Sequence, residues 1–150
     1  MPVSEADLQA LVGYRFAGGC YRIAHWENFL LTEATGRPPL PDDLAHPVHL
    51  FHVPIAAAGT SVAELFGLGR ADSDASITID YYDWELFDPL HEDELYTGSG
   101  GIFEYERSRP GGGTIVDSLG FEFELLRDGG EPAARVRFRW HFWRWPTCSR

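Results

Sequence analysis

Hydrophobic and polar positions alternate most cleanly near the end of the chain, in "EPAARVRFRWHFWRW" (131–145). Val136, Phe138, Trp140 and Phe142 fall on one face of an extended segment, and Arg135, Arg137, Arg139 and His141 on the other, because successive strand side chains point to opposite sides. The segments "ASITIDYYDWELF" (75–87), "ELYTGSGGIFEYERS" (94–108) and "GTIVDSLGFEFELLR" (113–127) are rich in the β-branched and aromatic residues that strands favour. Between the last three stand "RPGGGT" and "RDGGEP", which are turn sequences. The pattern predicts a three-strand meander preceded by a fourth strand.

The first half has a different period. "EADLQALV" (5–12) predicts a short helix capped by Ser4, and "YRFAGGCYRIAH" (14–25) an extended stretch broken by glycines. "HWENFLLTEATG" (25–36) reads as an amphipathic helix with Trp26, Phe29, Leu30 and Ala34 as its apolar face and Gly36 at its C-terminal end. "RPPLPDDLAHP" (37–47), with four prolines, is a loop. "PIAAAGTSVAELFGLG" (54–69) predicts one helix whose small residues let other backbone approach closely.

At 150 residues, with 44% hydrophobic and 14% aromatic residues, the chain has the size and content of one packed domain, 1–150. It contains no apolar run long enough to span a bilayer. "MPVSEADLQ" lacks the basic start and apolar core of a secretion signal. The expected location is therefore cytoplasmic, with Cys20 and Cys148 as free thiols and a disulfide between them left open. The net charge is −11 and all twelve basic residues are arginine. Such a chain repels phosphate backbones, so neither nucleic acid nor membrane is an expected partner. The arginine stripe at 135–139 faces Glu104, Glu106, Glu122 and Glu124 on neighbouring strands, which predicts cross-strand ion pairs; the functional alternative is an anchor for the phosphates of coenzyme A.

Chemistry concentrates in "HPVHLFH" (46–52), three of the six histidines in seven residues. Zinc held by His46, His49 and His52 would need three nitrogens converging at about 2.1 Å from one ion. Pro47 and the apolar Leu50 and Phe51 argue instead for a segment packed on one side, and no metal or other cofactor is expected. Histidines satisfied in a pocket wall are the simplest reading.

The order strand, helix, loop, small-residue helix and strands resembles an α+β hot-dog fold, a curled antiparallel sheet wrapped around a central helix. "VGYRF…YRIAHWENFLLTEATGRPPL", "HVPIAAAGTSVAEL", "WELFDPLHEDELYTGSGGIFEYERSRPGGGTIV" and "GGEPAARVRFRWHFWR" together resemble the MaoC-like hydratases and dehydratases, nearest to the fungal fatty-acid-synthase-type dehydratase domain. The likeness covers residues 11–144 and lies in order, length and turn chemistry. It implies hydration or dehydration of an acyl thioester, on coenzyme A or acyl carrier protein, within lipid metabolism. It also implies pairing with a second hot dog, as a homodimer or a heteromer.

In that family an acid–base pair comes from a Gly-Asp-x-Asn-Pro-x-His loop after the first helix. Here Arg37 stands where the aspartate belongs. The resemblance therefore implies a substrate-binding, non-catalytic subunit paired with a catalytic MaoC-like one. An alternative is a stand-alone hydratase or dehydratase using a displaced pair, Asp43 with His49, six residues apart where the family has five, and His52 as a further candidate. A second alternative is a binding or cyclising module without thioester chemistry. Substrate contacts are expected from Phe51 and Trp84. The backbone around Ala56, Ala57, Ala58 and Gly59 is expected to meet the thioester carbonyl at a helix N-terminus.

Overall fold

The alternation at 131–145 determines how the sheet packs. Val136, Phe138, Trp140 and Phe142 are all buried, while the arginines between them face outward. The computed structural model describes residues 3–146; Cys148 lies outside them, and Cys20 is a free, exposed thiol. The helices are α1 (Glu5–Gln9), α2 (His25–Ala34), α3 (Val53–Ala57) and α4 (Val62–Leu68), with 3-10 turns at Pro47–Phe51 and Asp74–Ser76. The strands are β1 (Gly19–Arg22), β2 (Ile77–Leu86), β3 (Leu95–Gly111), β4 (Thr114–Arg127) and β5 (Pro132–Arg144). They form one antiparallel sheet in the order β1-β3-β4-β5-β2. The expected meander is β3–β4–β5. The preceding strand, β2, crosses to the far edge and pairs with β5 rather than with β3.

The sheet curls around α3, which packs on β1, β3 and β4. Glycine makes that approach possible. A Cβ on Gly98 would lie 2.4 Å from the backbone carbon of Ala57, closer than any real contact. The expected continuous helix over 54–69 is in fact two. Gly59, at φ +77, ends α3, and Ser61 caps α4 by accepting a hydrogen bond from the Glu64 amide at 3.2 Å. A left-handed glycine followed by a serine cap is a stop and a restart.

The second departure is α2. Its buried residues are Asn28 and Thr32, whereas Trp26 is 67% and Leu30 56% exposed. The helix turns its polar stripe inward because that stripe satisfies loop backbone, and it leaves the apolar face on the surface.

On the outer face of the sheet, Arg135 pairs with Glu124 and Glu85, Arg137 with Glu122, and Arg139 with Glu104, Glu106 and Asp80. These arginines are neutralised by their neighbours, as the ion-pair reading expects. Deeper in the sheet, the fully buried Asp117 accepts from Arg107 at 2.7 Å, from Arg144 at 2.5 Å and from Tyr105 at 2.7 Å. Arg144 also donates to the carbonyls of Gly69 and Arg70, and Arg107 to that of Val3. One carboxylate thus fastens three strands to the end of α4 and to the N-terminal segment.

Burial pushes the Asp117 carboxyl up, but the hydrogen bonds from Arg107, Arg144 and Tyr105 outweigh it and hold it below the usual carboxylate range. Its contribution is present above the unfolded-state value of about 3.9 and is lost as pH falls through the lower folded value. Asp117→Ala strands two buried cations and is expected to cost about 3–5 kcal/mol in urea unfolding. Asp117→Asn should flatten the acid limb of the stability profile.

Candidate active site

The site begins with a helix that starts where a strand ends. β1 carries Tyr21, and three residues after β1 ends the chain enters α2, which places Glu27 and Asn28 in its first turn. The loop then returns as the 3-10 turn at 47–51. Pro47 stands at its first position, and His46 caps it by accepting from the Val48 amide at 3.1 Å. His46 is thereby used as a structural cap.

Asn28, 3% exposed, joins the two segments. Its Nδ2 donates to the Leu44 carbonyl at 3.0 Å and to Glu92 at 2.6 Å. Its Oδ1 accepts from the His46 amide at 3.0 Å and faces His49 Nε2 at 3.2 Å. A backbone carbonyl can only accept and a backbone amide can only donate, so the orientation of the Asn28 amide is settled. His49 Nε2 must then carry the hydrogen, and a neutral ring has its lone pair on Nδ1.

His49 is fully buried, and its Nδ1 has no hydrogen-bond partner; it lies 4.0 Å from Glu27 Oε1. Burial, with the neighbouring His52 adding to it, lowers the His49 pKa to about 4, which keeps the ring neutral. Glu27 Oε1 accepts from Tyr21 and meets His52 Nε2, both at 2.7 Å. Burial pushes the Glu27 carboxyl up, but those two hydrogen bonds dominate and hold it below its ordinary range. Tyr21 is pushed up to about 12 by burial and by Glu27. The His52 side chain is 38% exposed and that of Glu27 12%, so the cluster opens toward solvent at His52.

Two of the three expected catalytic residues, His49 and His52, therefore converge. Asp43 does not join them. It is exposed, at φ 56; its carbonyl accepts from the Glu92 amide at 2.8 Å, and its carboxylate makes no hydrogen bond or ion pair among the described residues. The displaced Asp43/His49 pair is not formed, because both ring nitrogens of His49 point toward α2. The carboxylate that reaches the histidines is Glu27. Sequence reasoning missed Glu27, Asn28 and Tyr21. Asn28 and Thr32, two polar residues four apart within "ENFLLT", were the available signal of an inward polar stripe.

The expected oxyanion amides also differ. Ala56, Ala58 and Gly59 lie in and just beyond the last turn of α3, and their amides donate to His52, Pro54 and Ala56 at 3.0, 3.1 and 3.0 Å. Ala57 is fully buried against the sheet. This end of the helix presents carbonyls, the negative pole of its dipole. Phe51 and Trp84 do meet, with ring centroids 4.6 Å apart, and Tyr82 joins them at 5.2 Å from Phe51. Phe51 directly precedes His52 in the chain. A cavity of about 430 Å³ lies beyond α3, lined by Tyr14, Phe16, Gly59 and Leu68 among others.

No family model matches the chain, and no curated protein matches it. Solved structures do. The chain is similar to the ChsH1-ChsH2 complex from Mycobacterium tuberculosis, with a TM-score of 0.67 at 12% identity, over 96% of this chain and 90% of that one. It is also similar to the MaoC-like dehydratase from Rhodospirillum rubrum, with a TM-score of 0.58 at 12% identity, over 91% and 94%. The fold is a hot dog. The HadBC (3R-hydroxyacyl-ACP dehydratase) complex from Mycobacterium tuberculosis matches the same hot dog with a TM-score of 0.61 at 11% identity, over 85% and 92%. Among the described residues, no helix is long and apolar enough to cross a membrane.

The tautomer is directly measurable. Imidazole ¹⁵N shifts are expected to report His49 as the Nε2–H form at neutral pH. In Asn28→Ala, which removes the acceptor, His49 should become a tautomer mixture.

Proposed function

We propose that this hot dog adds water to, or removes it from, an acyl thioester of coenzyme A or acyl carrier protein, with His49 as the acid–base group and Glu27 as its carboxylate partner. The observation that carries the reading is the pair of facing acceptors, His49 Nδ1 and Glu27 Oε1, 4.0 Å apart inside a hot dog. Two acceptors at that separation match one oxygen that donates two hydrogens. In hydration, the water oxygen attacks the β-carbon of the enoyl thioester while His49 Nδ1 takes one of its protons. The His49 imidazolium returns that proton to the α-carbon, with the ionised Glu27 carboxylate holding the water and stabilising the imidazolium, so one O–H bond breaks, one C–O and one C–H bond form and the double bond is consumed. Dehydration is the reverse. His52 and Tyr21 hold the Glu27 carboxylate in place and ionised. The aromatic group at Phe51, Tyr82 and Trp84 supplies an apolar wall for the acyl group. Among hot dogs, the MaoC-like hydratases are the class supported by the order of elements and by the structural neighbours, and within it the order and turn chemistry of the sequence favour a likeness to the fungal fatty-acid-synthase-type dehydratase domain.

A second reading rests on α2. Its outward Trp26, Phe29 and Leu30 lie beside the site, and two of the similar structures are two-protein complexes. In this reading the chain is the substrate-binding, non-catalytic half of a heteromer, and a partner hot dog covers α2. The apolar face alone predicts association. Light scattering on the purified chain is expected to show a dimer, or a heteromer with a co-expressed partner, rather than a monodisperse monomer.

The deciding assay follows loss of the enoyl-thioester absorbance with crotonyl-CoA and a longer enoyl-CoA. Wild type is expected to turn over, and Glu27→Gln and His49→Gln each to lower kcat by about 10²–10⁴-fold. Asp43→Asn should leave it unchanged. Turnover that survives Glu27→Gln rejects the acid–base assignment. Turnover only with a partner, surviving both substitutions, transfers the chemistry to the partner.

A further inference from the structure

A place shaped to accept two hydrogens is also a place that can donate two lone pairs into a cation. Glu27, His49 and His52 each offer one ligand atom, and these atoms all lie within 4.8 Å of one another. One of the three is unusual. His49 is wholly buried, its Nε2 is committed to Asn28, and its Nδ1 faces the cluster with no partner of its own. Burying an unmatched nitrogen costs free energy, so a group that engages it would recover that loss.

We infer that Glu27, His49 and His52 form a binding site for one divalent d-block cation of the zinc class. Two imidazole nitrogens and one carboxylate oxygen suit zinc and its neighbours, and three protein ligands leave a fourth position open. Magnesium and calcium prefer oxygen throughout and are excluded by the donor set. The outer contacts are those a metal site needs: Asn28 orients His49 through its Nε2–H, and Tyr21 holds the Glu27 carboxylate. Ligation asks His52 to carry its hydrogen on Nδ1 instead of Nε2, a tautomer exchange available at a half-exposed ring. His46 takes no part because its Nδ1 caps the 3-10 turn. His25 pairs with Glu92 at 2.8 Å on the exposed side, outside this group. The inference rests on the ligand geometry and not on the acyl-thioester reading. Where both hold, the cation takes the place of the reacting water, and zinc is a reversible inhibitor of the hydratase.

The test is titration of the metal-free full-length protein with zinc chloride, by calorimetry and by competition with a chromophoric chelator. One zinc per chain is expected, with a concentration-dependent rise in Tm. Magnesium should give neither. Asn28→Ala should weaken zinc by about 10–100-fold, and Glu27→Gln and His52→Ala by at least as much. His25→Ala should leave the affinity unchanged. His52 is half-exposed, so His52→Ala, checked by circular dichroism, remains informative if the Asn28 variant fails to fold. Absence of zinc binding at micromolar concentration overturns the inference, as does affinity that is unchanged in both Glu27→Gln and His52→Ala. Zinc binding by a chain with no hydratase activity, alone or partnered, would reject the enzymatic reading and leave the metal site standing.

Discussion

The site depends on one buried amide. Asn28 accepts from the His46 amide, from His49 and from the Thr32 hydroxyl and donates to the Leu44 carbonyl and to Glu92, so five groups from three separate parts of the chain converge on it. A buried amide with every position satisfied is rigid, because losing any one bond leaves a desolvated group behind. That rigidity decides which nitrogen of His49 has a hydrogen and which has a lone pair. The chemistry proposed for Glu27 and His49 follows from a contact that touches no reacting atom.

A second constraint lies under the first. α3 can occupy the inside of the sheet only because Gly98 has no side chain where Ala57 passes. The surrounding core is dominated by aromatic rings. Phe121 and Phe123 each stack on Phe138, with ring centroids 5.2 and 5.7 Å away. Small residues on the helix and large ones on the sheet are complementary halves of one packing solution.

Legibility in the sequence followed the physics of each element. The strands were readable because a period of two survives any change of neighbour, and the turns because their glycines have no substitute. The position of β2 at the far edge was not readable, since alternation reports which face is buried but not which strand lies alongside. α2 was placed correctly and oriented wrongly. The rule that the apolar face turns inward fails when loop backbone needs hydrogen bonds more than the core needs another leucine, and Asn28 supplies them. The break at Gly59 was present in "GTS" but was hidden by the apolar pattern on either side. His49 and His52 stood out as a cluster. Their carboxylate did not, because Glu27 lies some twenty residues away and belongs to no motif of the family loop, whose expected position is held by Arg37.

The glycine seat of α3 has a mechanical consequence. His52 is the residue immediately before α3, and Ala57, which presses on Gly98, is at the other end of the same five-residue helix. A five-residue helix is too short to bend, so a displacement at Ala57 would be carried to His52. Anything that lifts Ala57 off β3, even a single methyl group, tilts the far end and changes the spacing between His52 and Glu27. The tolerance of the site is therefore set on the side of the helix that faces away from it, at a position with no side chain at all.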